Sequence, residues 1–141
     1  MKNIQLLKTL EATLILMQLK VKNFHWNLKG EDFFEIHEQL DKFYDDVVEQ
    51  MDTLAEKIVM LDSVAIGNFK EALDLSLIKE AESAKVNEKL VFSQIVSDLK
   101  TILTFLETNA TEWNILVQPV IDELILFAHT WAWKFKASLG E

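Results

Sequence analysis

Five side chains in the first half of the chain have the types and spacing that could hold a metal ion. His25 and His37 are two of the three histidines, Asp41 follows His37 by one helical turn, and Asp52 and Glu56 stand one turn apart. Imidazole nitrogen together with carboxylate oxygen suits a borderline-hard divalent cation such as iron(II). All but His25 fall on one expected helix. At ~100° per residue, His37 shares a face with Asp41, and Asp52 shares one with Glu56. The step from Asp41 to Asp52 returns to within ~20° of the same direction, so the four lie along a single seam. Spacing alone leaves a second reading open, because such a seam on a long helix is commonly a solvated face.

Distance along the helix adds a constraint. Asp41 and Asp52 are ~16 Å apart at 1.5 Å per residue, far beyond the ~2 Å of a metal–ligand bond. One chain therefore cannot close both ends of the seam on the same ion. A two-fold axis crossing this helix near Asp45 to Glu49 lays two copies antiparallel and brings His37 and Asp41 of one beside Asp52 and Glu56 of the other. Two equivalent sites per dimer would result. His25, near the end of the preceding helix, is the remaining candidate ligand.

Hydrophobic periodicity supplies the elements that carry these residues. Ile4, Leu7, Leu10, Leu14, Met17, Val21, Phe24 and Leu28 recur at steps of three and four, the stripe of a first helix of about 25 residues that stops at Lys29-Gly30. Asp32 is placed to cap a second helix, with Glu35 three residues on. Its stripe of Ile36, Leu40, Phe43, Val47, Met51, Leu54, Ile58 and Leu61 runs beside the polar seam, which thus flanks the core. The pattern lapses from Asp62 to Ser76, with a short helical turn expected over Phe69 to Leu75. A third helix is expected from roughly Ile78 to Asn109, its first half charged and solvated. The fourth is expected from about Gln118 to Leu139, on Val120, Leu124, Phe127, Trp131 and Phe135, with Pro119 in its first turn. This is an all-α, ferritin-like four-helix bundle with a long crossover carrying a short helix between helices two and three. Nothing divides the 141 residues, so the expectation is one domain over 1–141.

Composition narrows the function classes. Only three Gly and one Pro are available for turns, which disfavours β structure, and the absence of Cys removes thiolate ligands and cysteine nucleophiles. Formal charge is −9, and all 14 basic residues are lysine. Direct binding to duplex DNA is therefore unexpected, the more so because the chain opens almost directly in helix one and closes at Ser138-Leu139-Gly140-Glu141 with no basic tail. The apolar run from Ile115 to Phe135 is broken by Gln118, Pro119, Asp122, Glu123 and His129, so no membrane span is expected. No signal peptide is apparent at the N-terminus, and the expected location is the cytoplasm.

The runs Asn23-Phe24-His25-Trp26-Asn27-Leu28-Lys29-Gly30, Phe33-Phe34-Glu35-Ile36-His37 and Asp52-Thr53-Leu54-Ala55-Glu56-Lys57-Ile58 resemble the signature of the Dps family, the miniature ferritins. The resemblance extends from about Leu7 to Leu61. It implies a homo-oligomeric shell of twelve subunits that takes up iron(II), oxidises it preferentially with hydrogen peroxide, and stores ferric mineral. It also implies that His25, His37 and Asp41 come from one subunit, Asp52 and Glu56 from its two-fold mate, and that Trp26 lies close to the iron. Asp62 stands where the family commonly has Gly, Lys57 where it usually has Arg, and Asn114 where it often has Asp. Asp122 and Glu123 are candidates for lining a cation pore.

Other readings fit the residues less well. An iron pair inside one bundle would use Glu-x-x-His motifs, but the residues three before His25, His37 and His129 are Lys22, Phe34 and Leu126. A shell that coats and protects DNA, with metal binding secondary, is the alternative function. His129 is expected to be a buried or interfacial structural residue, Trp113, Trp131 and Trp133 core or subunit contacts, and Asp45-Asp46 dyad-proximal or solvent-facing.

Overall fold

A computed structural model describes residues 2–141. Its helices are α1 (Lys2–Asn27), α2 (Phe33–Met60), α3 (Phe69–Leu75), α4 (Glu88–Thr108) and α5 (Gln118–Ser138). Helices α1 and α2 form one hairpin, α4 and α5 the other, and the short α3 packs against α1. This is the expected bundle with its helical crossover. Among the described residues there is no strand beyond an isolated parallel bridge between Leu28 and Val86. Among the described residues, no helix is long and apolar enough to cross a membrane.

The core follows the stripes. The seven apolar stripe residues within α1 are buried, as are Leu28 just beyond it and Ile36, Leu40, Phe43, Val47, Leu54 and Ile58 of α2. Full burial of each such side chain contributes roughly 1.5–3 kcal/mol. Phe43 sits at the centre of an aromatic cluster, with ring centroids 5.1 Å from Trp131, 5.2 Å from Phe135 and 5.8 Å from Phe127. Trp131 donates its indole N–H to Asp46 at 2.8 Å, which stitches α5 to α2. Asp46 is therefore a partner of the core and not simply surface, while Asp45 is exposed.

Helix α1 also carries buried and half-buried polar residues, and five of them hold connecting segments. The Asn3 side chain donates to the Glu112 carbonyl at 2.7 Å and accepts from Asn114 N–H at 3.0 Å. Glu11 accepts from Ile66 N–H at 3.0 Å, and Thr13 from Leu77 N–H at 2.9 Å. Lys20 pairs with Asp98 at 2.7 Å and donates to the Lys79 carbonyl at 2.8 Å. Asn23 donates to the Glu82 carbonyl at 3.0 Å. Buried polar groups must find partners, and here they find them in loops that lack periodic patterning of their own.

Those tethers explain the main departure from the expected helices. The third long helix begins at Glu88 and not near Ile78, because residues 76–87 run over α1 in irregular form. Lys29 N–H donates to the Val86 carbonyl at 2.9 Å and Val86 N–H to the Asn27 carbonyl at 3.1 Å, which consumes backbone groups that a helix would need. Asn87 then caps α4 by accepting from Leu90 N–H at 2.9 Å. At the start of α2, Asp32 occupies the cap position but makes no side-chain cap. Its backbone lies at φ −99°, ψ 26°, outside the extended region from which a capping side chain folds back.

Helix α2 ends in a Schellman turn. Ser63 N–H donates to the Ile58 carbonyl at 3.2 Å and Asp62 N–H to the Val59 carbonyl at 2.9 Å. Asp62 takes φ 63° at the position where the resembled family has Gly, a conformation that Asp tolerates better than most residues.

Glu11 yields a pH prediction. Burial raises its pKa above the ordinary 4.5, against the lowering effect of the Ile66 N–H. A carboxyl whose folded pKa lies above its unfolded value binds more protons in the fold, so it makes stability fall as pH rises through that interval. Glu11→Gln keeps an acceptor for Ile66 and removes the buried charge. We expect its melting temperature at pH 7 to exceed that of the wild type by about 2–6 °C, with the gap closing toward pH 4.5; a pH-independent difference would contradict this.

Candidate metal centre

The last turn of α1 and the second turn of α2 meet where the first hairpin closes. Gly30, at φ 147°, lets the chain reverse in this short connection, a conformation that residues with a Cβ rarely adopt. The reversal brings His25 and His37 together. Their rings stack with centroids 3.6 Å apart and an interplanar angle of 19°. Phe33 stacks on His37 in turn, at 4.9 Å.

The two histidines exchange hydrogen bonds. His25 Nδ1 lies 2.7 Å from the His37 carbonyl oxygen, and His37 Nδ1 lies 2.9 Å from that of His25. A carbonyl only accepts, so each Nδ1 carries the proton and each neutral ring keeps its lone pair on Nε2. This arrangement fixes both tautomers with Nε2 available to a metal. Burial lowers the pKa of His25 and outweighs the raising effect of Asp41, so His25 favours the neutral form.

Asp41 faces the same place. Its Oδ1 lies 3.5 Å from His25 Nε2 and 2.7 Å from Lys22 Nζ. The hydrogen bond from Lys22 holds the Asp41 carboxyl below its usual range. Lys22 also lies 4.3 Å from the centroid of the Tyr44 ring. Trp26, beside His25, is 59% exposed.

Asp52 and Glu56 lie further along α2, both exposed, and neither forms an ion pair among the described residues. The fold therefore groups His25, His37 and Asp41 and leaves Asp52 and Glu56 apart from them. Among the described residues of one chain, no three His, Cys, Asp or Glu side chains are arranged to hold a metal ion. The donor set nevertheless fits iron in kind, since it offers neutral imidazole nitrogen and ionised carboxylate.

Other residues singled out in the sequence lie away from this centre. His129 is exposed, not buried, because its helix turns that face outward; with Trp113 it lines a cavity of about 320 Å³ between α4 and α5. Trp131 is in the core, Trp113 is half-buried and Trp133 is exposed. Asp122 and Glu123 are exposed, Asp122 accepting from Gln118 at 2.9 Å. Lys22 is the residue that spacing did not single out as part of the site, although its place one turn before His25 was available to suggest it.

Comparison with known proteins agrees with this architecture. A ferritin-like domain model matches residues 4–112. The "DNA protection during starvation protein" of Helicobacter pylori is 38% identical over 100 residues, 71% of this chain and 69% of that protein. General stress protein 20U of Bacillus subtilis is 29% identical over 133 residues, covering 92% and 91% of the two chains. Among solved structures, Dps from Bacillus brevis superposes with a TM-score of 0.89 at 25% identity, covering 97% of each chain. Dps from Staphylococcus aureus superposes at 0.90 with 24% identity, covering 96% of this chain and 93% of that one, and so speaks to the fold alone. With a domain match over most of its length and a relative at this identity, the chain belongs to the Dps family of ferritin-like proteins.

Proposed function

We propose that the chain assembles with copies of itself into a hollow shell of twelve subunits in the cytoplasm, which takes up iron(II), oxidises it preferentially with hydrogen peroxide, and stores the ferric product. The observation that carries this reading is the division of the ligand set. His25, His37 and Asp41 share one end of the hairpin, while Asp52 and Glu56 sit exposed on the same helix, too far along it to reach the same ion. A second copy, antiparallel across a two-fold axis, supplies what each copy lacks. Exposed Trp26, Phe69 and Met60 provide apolar surface for contact between copies.

The residues divide the work in chemical terms. Iron(II) is the substrate and gives up the electrons. His25 and His37 bind it through Nε2, with rings already oriented by the backbone carbonyls, so little ordering is lost on binding. Asp41, with Asp52 and Glu56 of the partner subunit, surrounds the ion with negative charge. That charge favours the trivalent product over the divalent substrate and thereby promotes oxidation. Two iron(II) ions supply two electrons to one peroxide, which takes up two protons and leaves as two waters, without release of hydroxyl radical. Preference for peroxide over dioxygen rests on the family resemblance.

The Helicobacter pylori relative is named for DNA protection. For this chain, a formal charge of −9 and the absence of arginine disfavour coating of DNA, so protection would act through removal of iron and peroxide. We expect no mobility shift of duplex DNA by the metal-free assembly at physiological salt; a clear shift would instead support the coating alternative. For the ferroxidase reading, replacing His37 and Asp52 together with Ala is expected to abolish rapid iron(II) oxidation, a fall of at least about 100-fold, while native mass remains that of the wild-type assembly. Unchanged oxidation kinetics would rule the site out.

A further inference from the structure

Lys22 stands in an unusual position for a cation. Its ammonium lies 2.7 Å from Asp41 Oδ1, the same oxygen that lies 3.5 Å from His25 Nε2. A positive charge on the chain itself thus occupies the carboxylate oxygen that an incoming metal would need. The contact is built and not a chance surface pairing. The Lys22 side chain is only 22% exposed, and its ammonium lies over the Tyr44 ring, 4.3 Å from the centroid. The Tyr44 hydroxyl accepts from Gln18 at 3.4 Å, and Lys22 and Tyr44 line one cavity of about 260 Å³ with Trp26. Tyr44 and Asp41 are three residues apart on α2 and so present their side chains to Lys22 from neighbouring turns.

We propose that Lys22 is the internal counter-ion of this site: its ammonium holds Asp41 while no metal is bound, and a divalent cation must displace it from Asp41 in order to bind. The inference rests on the two-fold site proposed above. There, Asp41 meets Asp52 and Glu56 of the partner subunit, three carboxylates converging around two imidazoles. Without a cation their repulsion opposes assembly, and Lys22 supplies one that cannot diffuse away. The same charge then competes with the metal, which makes metal binding weaker and more readily reversed than the ligands alone would give. It acts on metal affinity and on the metal-free assembly, not as a metal ligand.

The test is cobalt(II) binding to the full-length assembly, followed by visible absorption and calorimetry, in the wild type, Lys22→Met and Lys22→Arg. Methionine keeps an apolar stem against Tyr44 and removes the charge; arginine keeps the charge. Lys22→Met is expected to bind cobalt(II) at least about tenfold more tightly than the wild type, the scale of one lost charge-assisted hydrogen bond. Its metal-free form should melt lower and gain more on metal addition, and Lys22→Arg should follow the wild type in both respects. Identical isotherms for Lys22→Met and the wild type, or Lys22→Arg binding as tightly as Lys22→Met, would overturn the inference. A double substitution of Asp52→Asn and Glu56→Gln separates the two levels. If it abolishes cobalt(II) binding while Lys22→Met matches the wild type, only the role of Lys22 fails; if binding survives it, the two-fold site fails and the counter-ion with it.

Discussion

The stiffness of α2 is the constraint on which the rest depends. A helix of 28 residues extends ~42 Å and does not fold back on itself, so ligands spread along it serve one ion only through a neighbouring chain. His37 and Asp41 lie near its start, and Asp52 and Glu56 lie past its middle. The separation is a property of the backbone that side-chain adjustment cannot remove. On the proposed reading, binding chemistry and association between copies are coupled: the isolated chain would hold the parts of a site, and the site itself would require symmetry.

What prepares the histidine half is local hydrogen bonding. The reciprocal contacts between His25 and His37 join the end of α1 to the start of α2 and set both imidazole tautomers. They serve fold and site together, because the backbone carbonyls that orient the rings belong to the residues carrying those rings. The hairpin end is held further by Phe33 stacked on His37 and by Lys22 bridging α1 to Asp41. A rigid half-site on packed helices suits a reaction in which the metal brings the electrons and the protein supplies position and charge. The other half, Asp52 and Glu56, is exposed and without ion pairs among the described residues, which leaves both carboxylates able to face a second copy.

Periodicity made most of the fold legible, and it did so where burial is one-sided. The stripe of α5 from Val120 to Phe135 is buried throughout, and that of α2 fails only at Met51 and Leu61, which are half-buried. The start of α4 was not legible in this way. Ile78 and Val86 are buried, but bonds from Lys20, Asn23 and the backbone near Leu28, distant in sequence, hold that segment against α1. Local pattern carries no trace of such tethers. Asp32 failed as a cap for a related reason, since its backbone angles are decided by the hairpin turn and not by the identity of the side chain. Of the candidate site, residue type and spacing pointed to His25, His37 and Asp41, and the fold brings these together. Lys22 escaped notice because a lysine among metal ligands is read as surface charge until its distance to Asp41 is known.

The most direct test of the shared site is complementation between two inactive forms. His37→Ala removes a ligand from one half and Asp52→Ala from the other, and shells assembled from equal amounts of both contain dimers in which one of the two sites has every ligand. Random pairing makes about half the dimers mixed, so the mixed shells should regain about a quarter of the wild-type rate of iron(II) oxidation. A rate no greater than the average of the two parent assemblies would show that each chain builds its site alone.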